Sequence, residues 1–293
     1  MARTAAPPQR PARPPELQDV LNARLFHPLA WRLALALRNS FVTPNQLSVA
    51  GGVLVVLAAI AYANAETLAL VALGFALHLG WHVLDGADGD LARLTGRSSR
   101  QGEIIDGICD YASHIVLYLT LSWLLAEQIG WTGWVLGPLA GASRIIQAMF
   151  YESQRRQYQF WVYRVEWLRV SAGDGGSGGG VIEALGRGYA RLAQGLTPAG
   201  AQVDALVAAA QGAEAEALRT TIRARYAGVL RFITPLSANY RTLAIGLAML
   251  AGSPLWAFVF EIVVLGVWLA ASMQVARRAA HAIIAQAVAS ISR

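Results

Sequence analysis

Between Asp85 and Asp110 the chain sets four aspartates, Asp85, Asp88, Asp106 and Asp110, at intervals of three, eighteen and four residues, with long apolar runs on both sides. Carboxylates beside hydrocarbon are costly to keep and default to a functional reading. On a helix, Asp85 and Asp88 share a face. Gly89 and Arg93 continue the ridge from Asp85, and Ala92 continues that from Asp88. Asp106 and Asp110 lie one turn apart on a second helix, with Gly102 one turn earlier. Two antiparallel helices joined through residues 95–100 bring all four acids together. Unpaired, such a group repels itself and takes up protons. Hard divalent cations with oxygen ligands, Mg2+ or Mn2+, neutralise it. Gly89, Ala92 and Gly102 remove bulk from the same face and leave room for a ligand against the backbone. An arginine suits a phosphate. The combination points to phosphoryl transfer through bound metals; the bland reading is a solvated acidic loop between two helices.

The spacing D-x2-D-G-x2-A-R-x8-G-x3-D-x3-D is met at all eight fixed positions by Asp85, Asp88, Gly89, Ala92, Arg93, Gly102, Asp106 and Asp110. This stretch resembles the signature of the CDP-alcohol phosphotransferase (phosphatidyltransferase) family. The resemblance implies an integral-membrane transferase of phospholipid biosynthesis. It would move a substituted phosphoryl group from a CDP-activated lipid or alcohol donor to an acceptor alcohol, with release of CMP. It implies two divalent ions held by Asp85, Asp88, Asp106 and Asp110, with Asp110 also the best candidate base for the acceptor hydroxyl. Gly89, Ala92 and Gly102 would admit the nucleotide, and Arg93 would hold the acidic site or phosphates. A Thr-Pro-Asn entry like Thr43-Pro44-Asn45 borders the nucleotide pocket in that family, which makes Asn45 a candidate binding residue. A homodimer is a family expectation.

Composition sets the class. The chain of 293 residues is 55% hydrophobic and only 14% charged, where a soluble domain carries about 25% charged residues. An all-α polytopic membrane protein is expected. There is no lysine, so the net charge of +6 comes from arginines. Arginines at helix ends serve the positive-inside rule and anionic headgroups, so no nucleic-acid partner is inferred; membrane lipids are the expected surroundings. The single cysteine, Cys109, excludes an internal disulfide and lies on a different helical face from Asp106 and Asp110.

The elements that must position the acids follow from the apolar runs. Residues 1–15, rich in Pro, Arg and Ala, read as a disordered cytosolic tail. Residues 16–41 read as an amphipathic helix at the membrane surface. Residues 43–155 hold four spans, 47–62, 68–84, one from inside the motif to 125, and 131–151, with Thr43 capping the first and Pro44 in its first turn. Residues 156–232 form a cytosolic insertion. It begins with a basic, aromatic interfacial stretch to Arg169, passes a Gly/Ser loop at 171–180, and makes one or two Ala-rich helices. Residues 233–293, after the break at Pro235, hold a short fifth span to Leu250, a sixth at 255–273 and an amphipathic tail. The turns at 63–66, 127–132 and 253–254 contain no arginine, whereas the connections between them are rich in it. That pattern gives six spans, both ends in the cytosol, and the acids on the cytosolic side of what reads as a bacterial inner membrane.

Other polar residues inside these spans need partners. Arg144 is expected to meet a motif carboxylate or a substrate phosphate. Arg241, at the mouth of the fifth span, is a second candidate phosphate ligand. Glu261 is expected to be an inter-helix hydrogen-bond partner. His78 and His82, four apart, read as polar packing groups rather than metal ligands, and His114, one turn after Asp110, as a hydrogen-bonded core histidine. A cation transporter would explain the acids but not the spaced glycines and Ala-Arg. Synthesis of a soluble phosphodiester from a CDP-alcohol is a further reading of the same residues, and an inactive scaffold is another.

Overall fold

The computed structural model describes residues 14–165, 195 and 198–291. The expectations for the extreme N-terminus, for the end of the interfacial stretch from residue 166 and for the Gly/Ser loop lie outside the described residues. Every regular element among the described residues is helical. Among the described residues, four helical runs are long and apolar enough to cross a membrane: Pro44–Ala63, Leu68–Thr95, Gln101–Tyr163 and Leu255–Ala289. The chain divides into two compact units, one running to Pro138 and including Thr242–Trp256, the other comprising Leu139–Arg241 and Ala257 onward.

In the first unit, α1 (His27–Leu37) follows a π turn at Asn22–Phe26. Asp19 starts this segment by accepting from Asn22 N at 2.8 Å and from the Asn22 amide at 2.7 Å. α1 buries Ala30 and Ala34 against Ala87 and Leu91 of α3 (Leu68–Thr95). α2 (Pro44–Ala63) begins with a capping box in which Thr43 accepts from Gln46 N and the Gln46 side chain accepts from Thr43 N. Its cap satisfies backbone groups that helix geometry leaves orphaned. α2 packs against both α3 and α4 (Arg100–Ile129) because glycines let the backbones close in. A Cβ at Gly51 would lie 3.3 Å from the Trp81 ring, one at Gly52 3.4 Å from the Cys109 carbonyl, and one at Gly74 2.9 Å from Tyr62. The turn between the acid-bearing helices is equally explicit: Gly96 takes φ +66° as the C-cap of α3, and Ser99 caps α4 by accepting from Gly102 N at 3.0 Å.

Gly130, at φ +75°, ends α4, and a 3-10 turn at Gly130–Thr132 leads to α5 (Gly133–Tyr163). The start of α5 runs back along α4, since a Cβ at Gly133 would strike the Ala126 backbone and one at Gly137 would fall on Ser122 Oγ. Small residues four apart allow this close crossing. Val49, Val53, Leu57 and Ile60 form an outward apolar stripe on α2, and Ile104, Ile108, Ile115 and Leu119 do so on α4. Such surfaces belong in hydrocarbon rather than water.

In the second unit, α5 continues through Tyr163 rather than stopping near Tyr151. Glu152 supports the added turns by pairing with Arg155 and Arg156, both at 3.2 Å. Tyr158 and Trp161, expected at an interface, are fully buried. The Trp161 indole donates to Asp204 Oδ1 at 2.7 Å on α6 (Pro198–Ala209), and its ring meets Tyr226 of α7 (Gly212–Ile233) edge-on. After a 3-10 turn around Pro235, α8 (Ala238–Leu250) begins in this unit and completes in the other. α9 (Leu255–Val259), a π turn at Phe260–Val264 and α10 (Leu265–Ile291) form the last run.

Candidate active site

The helical periods of α3 and α4 turn sequence spacing into a cluster. Asp85 from α3 and Asp106 and Asp110 from α4 each offer a carboxylate oxygen, all within 4.8 Å of one another. Two metal–oxygen bonds end to end span about 4–5 Å, so three hard oxygens at this separation fit one divalent cation. Asp88, 7% exposed, lies against Asp106. Asp106 thus joins the two halves of the quartet.

Two donors fix the carboxylates from outside. The Ser48 hydroxyl on α2 donates to Asp88 Oδ2 at 2.6 Å, and the Trp81 indole on α3 donates to Asp110 Oδ1 at 2.8 Å. Trp81 is held edge-on to His114, with ring centroids 4.5 Å apart, and tilted over His82 at 4.4 Å. His114 Nδ1 donates to the Asp110 carbonyl at 2.8 Å, not to its carboxylate. His82 Nε2 and His78 Nε2 hydrogen-bond Thr242 Oγ1 at 2.9 and 3.3 Å, so both serve packing against α8. Sequence reasoning missed Ser48 and Trp81. The available signals were that Ser48 sits one turn after Asn45 and Trp81 one turn before Asp85.

Beside the acids lies a cavity of about 150 Å³. Its lining brings together Asn45, Gly89, Ala92, Arg93, Gly102, Asp88 and Asp106, with Ser48, Arg97 and Glu103 among the additions. Gly102 matters by its size, because a Cβ there would sit 3.4 Å from Asn45 Oδ1. The Arg93 guanidinium folds over Gly89 and pairs at 2.5 Å with Asp90, a carboxylate outside the spaced quartet that is 1% exposed.

Arg144 and Arg241 do not line this cavity. Arg144 is half-buried on α5. Arg241 is 1% exposed and held by three acceptors: it donates to Glu261 Oε1 at 2.8 Å, to the Leu236 carbonyl at 2.6 Å and to Gln147 Oε1 at 3.0 Å. These three acceptors lie in the protein itself, where the sequence reading expected a phosphate. A buried arginine without a carboxylate is too costly to keep, and Glu261 supplies that carboxylate.

Among the described residues the protein is helical, with bilayer-length apolar helices that hold converging carboxylates beside a small-residue pocket. Residues 41–164 match the family model for CDP-alcohol phosphatidyltransferase. A CDP-diacylglycerol–serine O-phosphatidyltransferase of Mycobacterium leprae (strain TN) is 38% identical over 68 residues, covering 22% of this chain and 22% of that protein. The chain thus matches about a fifth of that relative's length.

Proposed function

We propose that the protein transfers a substituted phosphoryl group from a CDP-alcohol to an acceptor alcohol in phospholipid biosynthesis. The observation that carries this reading is the convergence of Asp85, Asp106 and Asp110 beside the cavity that Asn45, Gly89, Ala92 and Gly102 keep open. The acceptor oxygen attacks the phosphorus that bears the donor's alcohol. The bond from that phosphorus to the CMP oxygen breaks, CMP leaves, and the acceptor proton passes to Asp110. Bound Mg2+ or Mn2+ would neutralise charge on the pyrophosphate and on departing CMP. Asp85, Asp88, Asp106 and Asp110 would hold the ions, while Trp81 fixes the plane in which Asp110 meets the acceptor. The small residues admit the cytidine end, and Arg93 holds the rim through Asp90. Arg241 serves here as the partner of Glu261.

The same reading takes the protein as an integral protein of a bacterial inner membrane with its acids on the cytosolic side, where CDP-activated donors arrive. Six crossings count α4 and α5 separately and take α8 as the fifth; a homodimer remains part of the proposal. The relative's name makes serine the first acceptor to try and CDP-diacylglycerol the first donor. The test is purified protein incubated with CDP-diacylglycerol or a soluble CDP-alcohol, each against serine, glycerol phosphate, an inositol phosphate and a lipid hydroxyl. Mass spectrometry should find one new phosphodiester together with CMP. No phosphodiester from any pair would remove the assignment.

A further inference from the structure

The apolar run that begins at Leu255 stops at Met273, and Gln274, Arg277 and Arg278 follow. α5 changes in the same way beyond Tyr151, where Glu152, Gln154 and Gln157 follow an apolar stretch. Helices that cross hydrocarbon turn polar where the bilayer interface begins. At that level the second unit encloses a cavity of about 250 Å³. Phe150, Met273 and Ala276 form an apolar wall, while Gln154, Gln157 and Arg277 supply polar groups. None of the acid-site residues lines it.

The polar wall is built inward rather than solvated. Gln154 is 1% and Gln157 6% exposed. The buried Tyr226 hydroxyl donates to Gln154 Oε1, which fixes the orientation of that amide. Gln154 Nε2 then reaches Gln157 Oε1 only at a long 3.5 Å, a weak bond by distance. Arg277 is exposed at the rim. A guanidinium beside amides suits a phosphate and its neighbouring oxygens. The apolar wall gives a free glycerophosphate nothing, but it suits the first methylenes of an acyl chain.

We propose that this cavity holds the headgroup of an anionic phospholipid, with Arg277 on the phosphate, the Gln154 and Gln157 amides on headgroup or glycerol oxygens, and Phe150 and Met273 against the chain. It is an accessory lipid site, independent of the transfer reaction, and it tethers the second unit to the anionic leaflet.

The test is native mass spectrometry of the full chain in detergent, supplied with phosphatidylglycerol, phosphatidylcholine or soluble glycerol 3-phosphate. Arg277→Gln removes the cation, Ala276→Leu fills the cavity without removing a polar atom, and Arg278→Gln is the control. One phosphatidylglycerol should be retained per wild-type chain and per Arg278→Gln chain. Retention should fall about tenfold or more in each of the other two variants, equivalent to ~1.4 kcal/mol of binding. Glycerol 3-phosphate should not displace the lipid. Melting in lipid-free detergent reports whether each variant is folded, and Arg277→Gln decides alone if the filled cavity disrupts folding. Equal retention by Arg277→Gln and wild type, equal retention of phosphatidylcholine, or displacement by the soluble phosphate overturns the proposal.

Discussion

The Trp81 indole nitrogen lies 2.8 Å from Asp110 Oδ1, one turn of α3 before Asp85. The bond consumes one lone pair of one carboxylate oxygen and sets the plane of the other. Its geometry depends on Gly51, whose missing side chain leaves space for the indole. Groups of this kind orient the residues that touch a metal or substrate without touching either themselves.

Trp81→Phe keeps an aromatic ring and removes the donor. Outer donors to metal-binding carboxylates are worth about 10–100-fold in affinity or activity. The variant should bind Mn2+ about tenfold more weakly by electron paramagnetic resonance titration, with turnover reduced in step. Unchanged Mn2+ affinity would limit Trp81 to packing.

Ser48→Ala withdraws the 2.6 Å bond to Asp88. Leaving a buried carboxylate short of one donor costs about 1–3 kcal/mol. Divalent ions, if they bind as proposed, meet that need instead. The loss in melting temperature should therefore be larger in chelator than in saturating Mn2+. Equal losses in both conditions would disconnect Asp88 from metal binding.

Arg241 and Glu261 make a charge pair with both side chains almost fully buried. Breaking a buried pair by removing one partner costs about 3–5 kcal/mol, whereas an apolar replacement of both is often neutral. Arg241→Met and Glu261→Leu should each lower the melting temperature sharply, and the double variant should recover most of it. KM for the CDP-alcohol should match wild type in the double variant. A rise in KM there would return Arg241 to the role of phosphate ligand.

The features legible in the sequence were those fixed by local periods. The helix repeat alone puts Asp85 with Asp88 and Asp106 with Asp110, and Thr43 followed by Pro44 announces the start of α2. Features set by crossings between helices were not legible. Trp81 and Ser48 reach the acids only because Gly51 and Gly52 bring α2 close to its neighbours. Arg241 looked like a cation open to phosphate because Glu261, twenty residues away, is opposite it only in the fold. Tyr158 and Trp161 looked interfacial because their composition suits a headgroup layer, yet α6 and α7 bury them.

The tight hairpin between α4 and α5 makes a further test. Gly137→Ala would place a methyl on Ser122 Oγ, and overpacking of this kind costs about 1–3 kcal/mol. Ser122→Gly should relieve that loss in the double variant when thermal stability in detergent is compared. A simple sum of the two single effects would contradict the close approach.

The central claim is that the aspartates of α3 and α4 hold a divalent ion where a CDP-alcohol is cleaved. The most direct measurement is CMP release from purified protein with CDP-diacylglycerol and acceptor, titrated with Mn2+, for wild type and Asp106→Ala. Wild type should release CMP only when the ion is present. Asp106→Ala should release none at any concentration, because Asp106 belongs both to the converging carboxylates and to the cavity wall. CMP release by Asp106→Ala at the wild-type rate, or release by wild type in excess chelator, would contradict the account.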